Sequence, residues 1–208
     1  MKPKGKKLSA SYYASHDVNF LAKDLLGKFL CTHIDGIYTS GKIVETEAYR
    51  GPDDRAAHSY NNRRTPRTEV MYHEGGVAYI YFCYGIHHMM NVVTAPKDHA
   101  HAILIRALEP ADGIDNMAQR RRMESTDIRL TKGPGALCVA LGLTKDMTGT
   151  SLYKSSTSIW IEDRGIKFDD SEICVGKRIG IDNAGDAVHW PWRYFVKGCR
   201  YVSAKRVC

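Results

Sequence analysis

Between Phe29 and Leu108 the chain strings short β-forming runs on tight-turn signals, and this constrains the fold more than any other feature. Phe29 to Ile34 passes through Asp35-Gly36, a pair favoured in two-residue hairpin turns, into Ile37 to Tyr49, which contains Ser40-Gly41. A polar loop from Gly51 to Arg67 holds Pro52, Asn61, Asn62 and Pro66. A Gly75-Gly76 turn then opens the run Val77 to Tyr84, and Asn91 to Thr94 and Ala102 to Leu108 supply two more strands. Helical periodicity flanks this region. From Asp17, a side chain suited to capping free backbone N–H groups, Val18, Leu21, Ala22, Leu25, Leu26 and Phe29 recur at offsets 0, 3, 4, 7, 8 and 11. After Glu109-Pro110 the pattern is helical over Ile114 to Met123 and Pro134 to Leu141, the latter opening on a proline whose missing N–H costs nothing at a helix start. Ile159 to Val202 returns to short strands, with Trp190, Trp192, Tyr194 and Phe195 available to the core.

The pattern predicts a mixed α/β (α+β) fold, a single compact domain with a curved, largely antiparallel sheet and flanking helices. At 208 residues and 43% hydrophobic the chain suffices for one buried core and is short for two, and no linker divides it. Residues 9–208 are therefore expected as one domain. Residues 1–8, rich in Lys and Gly without apolar period, read as a disordered basic arm.

Thirty Lys and Arg against 23 Asp and Glu give a net charge of +7, which favours a polyanionic partner: DNA, RNA or an anionic membrane surface. No run of about 18 apolar residues exists to span a bilayer, and no apolar segment follows the basic N-terminus, so a cytoplasmic protein is expected. The six cysteines lack short-range pairing and read as reduced thiols. Cys31-x-His33 and His87-His88 look metal-like, but adjacent strand residues face opposite ways and no second ligand pair has zinc spacing, so no metal site is expected.

The run Ile43-Val44-Glu45-Thr46-Glu47-Ala48-Tyr49 carries the chemistry. A period of two puts Ile43, Glu45, Glu47 and Tyr49 on one face. A solvated face is the ordinary fate of acidic strand residues, but here His58, Arg63, Arg64 and Arg67 follow in the next loop and Tyr79, Tyr81 and Tyr84 in the next strand. Aromatic faces interleaved with cations suit base stacking and phosphate contact. Tyr79 reads as a core aromatic. Tyr84, before Gly85 at a strand end, is placed to wedge into a base stack. Lys132 and Gly133, ahead of Pro134 at a helix start, offer backbone N–H groups and a cation to a phosphate, or simply a structural turn.

These residues resemble the alkyladenine (3-methyladenine) DNA glycosylase family. The likeness runs through Val44 to Tyr49, Gly51-Pro52-Asp53-Asp54, Ala56-Ala57-His58-Ser59, Arg63 to Arg67, Tyr79-Ile80-Tyr81, Tyr84-Gly85, Asn91, Leu104 to Pro110, Gly133-Pro134 and Arg193-Tyr194-Phe195, in the family's order. It implies that Glu47 is a general base, that Arg106 helps hold the nucleophilic water, and that Tyr49, Tyr81 and His58 sandwich a flipped purine. Asn91 would line the pocket edge where a guanine amino group projects, and Tyr84 would intercalate. It implies no cofactor, a monomer, and a partner of double-stranded DNA containing damaged purines: 3-methyladenine, 7-methylguanine, hypoxanthine or ethenoadenine. It places no lysine at the catalytic position, so hydrolysis without strand scission is expected.

The chain departs from the family pattern at His87-His88-Met89-Met90, at Tyr60-Asn61-Asn62, and in a slightly longer segment between Asn91 and Arg106, which bears on substrate range more than on reaction type. Two other functions fit the residues. Glu45 and Glu47 could be the carboxylate pair of a carbohydrate glycosidase, though two positions on one strand straddle a bond awkwardly. The aromatics could also serve a catalytically silent nucleic-acid-binding module.

Overall fold

A computed structural model describes residues 4–83 and 85–204. In chain order the elements are β1 (Lys6–Lys7), α1 (Ala10–Tyr13), α2 (Val18–Asp24), β2 (Phe29–Ile34), β3 (Ile37–Arg50), β4 (Ala78–Cys83), β5 (His87–Thr94), β6 (His101–Asp112), α3 (Ile114–Arg121), α4 (Pro134–Leu141), β7 (Ile159–Asp163), β8 (Ile173–Gly176) and β9 (Arg193–Val196), with short 3-10 turns between some of them. The strands form one sheet in the order β1-β7-β2-β3-β6-β5-β4, with β9 pairing β3 and β8, and every pairing is antiparallel. This is the expected α+β architecture.

The β2–β3 hairpin turns where its sequence requires. Asp35 and Gly36 both have positive φ, 52° and 75°, as a two-residue turn matching strand twist demands. The first long helix is shorter than its periodicity. Asp17 caps α2 by accepting from Phe20 N–H at 2.9 Å, but the helix ends at Asp24 because the chain is drawn into the sheet: Gly27 N–H donates to Ile43 O and Ile43 N–H donates to Lys28 O. Phe29 accordingly begins β2. On the other side of the sheet's centre, β6 continues through Glu109-Pro110 to Asp112. Pro110 faces Gly41 at a register break between Ser40 and Gly41, where the missing N–H is tolerated.

Two expectations are corrected. Lys6–Lys7, assigned to a disordered arm, pair with Asp163 and Glu162 of β7, and Leu8 is buried. Cys31, Cys83, Cys138 and Cys199 are free thiols, but Cys174 is disulfide-bonded, so the cysteines are not uniformly reduced.

The sheet has two differently used faces. On one, Ala48, Ile80, Met90, Val92, Ile103 and Ile105 meet Leu21 of α2, Leu25 just past its end, Met117 of α3 and Leu137 and Leu141 of α4 in the main core. The other face carries a smaller cluster, Val70, Met71, Tyr72, Tyr79, Val93 and Ala102, beneath the 51–72 loop. Strict alternation fails at one point. Ile43 belongs to the main core with Ala48, because a bulge between Ile43 and Glu45 reverses its side relative to the residues that follow. Glu45, Glu47 and Tyr49 keep the opposite face.

Candidate active site

The second face carries a row of side chains set by register. Glu47 pairs with Leu104, Leu104 with Asn91, and Asn91 with Tyr79, so four strands contribute one residue each to a line about 14 Å long at the usual strand spacing. Tyr49, Tyr81, Met89, Ala102 and Arg106 occupy the same face. The 51–72 loop and residues 179–181 close over them, leaving a cavity of about 490 Å3 whose walls include Tyr49, His58, Arg67, Tyr79, Tyr81, Met89, Asn91, Leu104 and Arg106. That volume lies in the range of small-molecule sites. Gly51 fixes how tightly the loop leaves β3: a Cβ there would sit 2.2 Å from Ser59 Oγ and 2.9 Å from Ala100 O.

Glu47 has no exposed surface and lies one layer behind the cavity wall. Its Oε2 accepts from Tyr49 O–H at 2.8 Å and Arg106 Nη1 at 3.2 Å, and its Oε1 accepts from Ile179 N–H at 2.8 Å. Burial raises its pKa above the ordinary carboxylate value, against the opposing pull of Arg106, Tyr49 and Ile179. Glu45 serves the cluster differently. Its carboxylate takes Arg106 Nε at 3.2 Å, Arg193 Nε at 2.7 Å and Ser203 N–H at 2.6 Å, and it contributes nothing to the cavity wall. Glu45 and Glu47 each accept three hydrogen bonds, are fully buried and lie on the same face of one strand, so they do not flank a substrate from two sides as the carbohydrate-glycosidase pairing requires.

His58 and Tyr81 do not leave a slot between them. Their rings meet edge to face at 4.6 Å, so they form one wall, against which a planar base would lie. Tyr79, expected only in the core, is buried but also lines the cavity, and its hydroxyl bonds His58 Nδ1 at 2.8 Å. Arg67 donates to His58 Nε2 at 3.3 Å, which assigns the remaining ring proton to Nδ1. Burial, with Arg67 and Arg63 nearby, pushes the His58 pKa down to about 4, so the ring is neutral at physiological pH and holds no proton for a departing base. Imidazole nitrogen NMR is expected to show the neutral, Nδ1-protonated tautomer from about pH 5 to 8. A His58 midpoint near 6.5 would overturn that assignment.

Asn91 commits its amide nitrogen to Tyr79 O at 3.2 Å and Met89 O at 3.3 Å, which fixes its orientation at the cavity edge. Lys132 and Gly133 are not in the wall, although the adjoining Pro134 is. Lys132 Nζ donates to Arg200 O at 3.1 Å, and Gly133, with φ 125°, caps α4. Tyr84 lies outside the described residues. On either side of it, Phe82 and Ile86 are exposed apolar side chains at the β4–β5 turn. In the segment that departs from the family pattern, Met89 faces the cavity while His88 packs on Phe82 with ring centroids 4.9 Å apart. Sequence reasoning missed Arg178, Asp54 and Ile179. No local pattern marks them as partners, although Asp54 falls within a quoted motif. Among the described residues no cluster of His, Cys, Asp and Glu could hold a metal ion, and no helix is long and apolar enough to cross a membrane.

Comparison with known proteins agrees with this geometry. The methylpurine-DNA glycosylase family profile matches residues 11–200. A relative from Bacillus cereus strain G9842, provisionally named a 3-methyladenine DNA glycosylase, is 48% identical over 202 residues, covering 94% of this chain and 98% of the relative. One of the same provisional name from Bacillus anthracis strain A0248 is 47% identical over 203 residues, with the same coverage.

Proposed function

The chain belongs to the methylpurine-DNA glycosylase family, and from that premise we propose that it hydrolyses the N-glycosidic bond of alkylated and deaminated purines flipped out of duplex DNA, with Glu47 as general base. The observation that carries the proposal is the buried carboxylate of Glu47 behind an aromatic cavity, held by Tyr49, Arg106 and Ile179 and shielded from bulk water.

Alkylation of a ring nitrogen makes the purine cationic and a good leaving group, and the faces of Tyr49 and Tyr81 attract such a cation. A water lying against Arg106 then needs only to lose a proton to Glu47 as it attacks the sugar carbon. Neutral lesions such as hypoxanthine and ethenoadenine need a hydrogen-bond donor to the leaving base. Neutral His58 cannot give up a stored proton, so a backbone N–H or a water takes that role. Asn91, its amide fixed by two carbonyls, biases selection at the edge where guanine carries an amino group. The exposed β4–β5 turn enters the duplex, with Tyr84 filling the vacated stack, while Lys132 and the α4 start at Gly133 approach a phosphate. The enzyme acts as a monomer on chromosomal DNA, in the cytoplasm of a bacterial cell.

Among the described residues no lysine lines the cavity, which favours a route without an imine to the sugar and an abasic site on an intact strand as product. Single-turnover assays on duplexes carrying one 3-methyladenine, 7-methylguanine, hypoxanthine or ethenoadenine are expected to give strand breaks only after alkali. Breaks before alkali, or an enzyme–DNA adduct trapped by borohydride, would contradict the hydrolytic route. Tight duplex binding without turnover on any of the four would leave only a base-stacking module.

A further inference from the structure

We propose that Arg178 is a positioning residue: it holds two of the three hydrogen-bond donors to Glu47 and so sets the orientation and basicity of that carboxylate. The proposal rests on the assignment of Glu47 as general base. Its basis is the way residues 177–181, which have no regular secondary structure, are fastened down.

The Arg178 side chain is wholly enclosed and makes four hydrogen bonds. Nη1 and Nη2 fork onto the two carboxylate oxygens of Asp54, Nη1 also donates to Ala48 O at 2.8 Å, and Nη2 donates to Ala187 O at 3.3 Å. One guanidinium thus ties this segment to β3, to the 51–57 loop and to the turn at Gly185–His189. Asp54 is equally enclosed, and its carboxylate accepts from the backbone N–H groups of Ala56 at 2.9 Å and Arg50 at 3.3 Å. The residue after Arg178 is Ile179, whose N–H donates to Glu47 Oε1. The Arg178 guanidinium also lies 4.7 Å from the ring centroid of Tyr49, whose hydroxyl donates to Glu47 Oε2. A cation against the ring favours electron withdrawal from the phenol and strengthens that donation. The third donor, Arg106, is held independently through Glu45.

Arg178 is a costly fastener, because its Nε is buried without a partner. Packing alone would not require a forked cation at this position. Holding two donors on one carboxylate does, since a fork fixes direction where a single ammonium fixes only distance. The charged or titratable groups around Glu47 are Glu45 and Tyr49 on β3, Arg106 on β6, Tyr81 on β4, Arg193 on β9 and Arg178 itself. Of these, only Arg178 influences both Ile179 and Tyr49. Hydrogen bonds to the ionised form lower a carboxyl pKa, so loosening two of them moves Glu47 further upward.

The test is the pH profile of single-turnover cleavage for wild type, Arg178→Lys and Arg178→Gln, with Glu47→Gln as reference and duplex affinity measured for each. At neutral pH the Arg178 variants are expected to cleave up to about 100-fold more slowly, as for a misplaced catalytic group. Duplex affinity should stay close to wild type, and the acidic limb of the rate profile should move to higher pH, so that part of the loss is recovered in mild alkali. Lysine should fall between arginine and glutamine. A slow variant with an unmoved limb would overturn the proposal and leave Arg178 a merely structural tie. If Glu47→Gln cleaves normally, the general-base assignment fails instead. Should both Arg178 variants fail to fold, Ile179→Pro, which keeps the anchor and deletes the N–H it holds, must show the same upward shift or the proposal falls.

Discussion

Glu47→Gln is expected to slow base release by about 100- to 10,000-fold, the contribution of a general base, while leaving duplex binding close to wild type. The substitution preserves size and one acceptor oxygen, which can still take Ile179 N–H, but the new amide nitrogen then faces Arg106 Nη1, a donor. That mismatch costs about 1–3 kcal/mol. It is offset because the wild-type carboxylate is itself penalised by burial, the largest cause of its raised pKa, so the variant should remain folded. The sign of the pH dependence follows. Only ionised Glu47 accepts a proton, and its pKa is above the ordinary carboxylate value, so wild-type cleavage should rise with pH through a limb displaced upward from that value. Single-turnover rates of the glutamine variant should lack this limb. A variant that keeps both the limb and the rate would show that another group activates the water.

The elements that local rules govern were legible in the sequence. Asp35-Gly36 announces its turn because the positive φ values are a local demand. The shared face of Glu45, Glu47 and Tyr49 follows from strand pleating alone, and Pro134 opens α4 for the reason stated from its missing N–H. What depended on distant partners was not. Ile43 leaves the expected face because β3 and β6 slip register beside it. Strand β1 exists only because β7 offers it an edge, with Lys6 and its partner Asp163 standing 157 positions apart.

The same limit hid half of the site. Arg178 and Asp54 are 124 residues apart, and Glu45 and Ser203 are 158 apart. Neither pairing leaves a periodicity or a motif, yet the first anchors the segment that donates Ile179 N–H to Glu47 and the second supplies a donor to Glu45. The family resemblance supplied the proposed roles of Glu47 and Arg106, but not the part played by Glu45, the counter-charge that holds Arg106 and Arg193.

Arg106→Met should produce the second large effect, this time on stability. Arg106 bridges Glu45 and Glu47, which are both fully buried, and removing one partner of a buried charge cluster costs about 3–5 kcal/mol. For a chain of this size that corresponds to a fall in Tm of about 10 °C. Glu45 would retain Arg193 and Ser203 N–H, whereas Glu47 would keep only Tyr49 O–H and Ile179 N–H, so Glu47 carries most of the loss. Its folded-state pKa, already raised, would rise further. A carboxyl with a raised folded pKa favours the folded state most when protonated in both states, and that advantage is lost as pH climbs from the unfolded value through the folded one. The Tm gap between wild type and variant should therefore be wide at neutral pH and narrow toward acid. A gap of constant width would mean that Arg106 stabilises by packing rather than charge. Arg106→Lys discriminates further, since an ammonium keeps the charge but cannot span both carboxylates through separate nitrogens. It should recover much of the Tm and little of the cleavage rate, because in the proposed mechanism the attacking water also needs the guanidinium beside it.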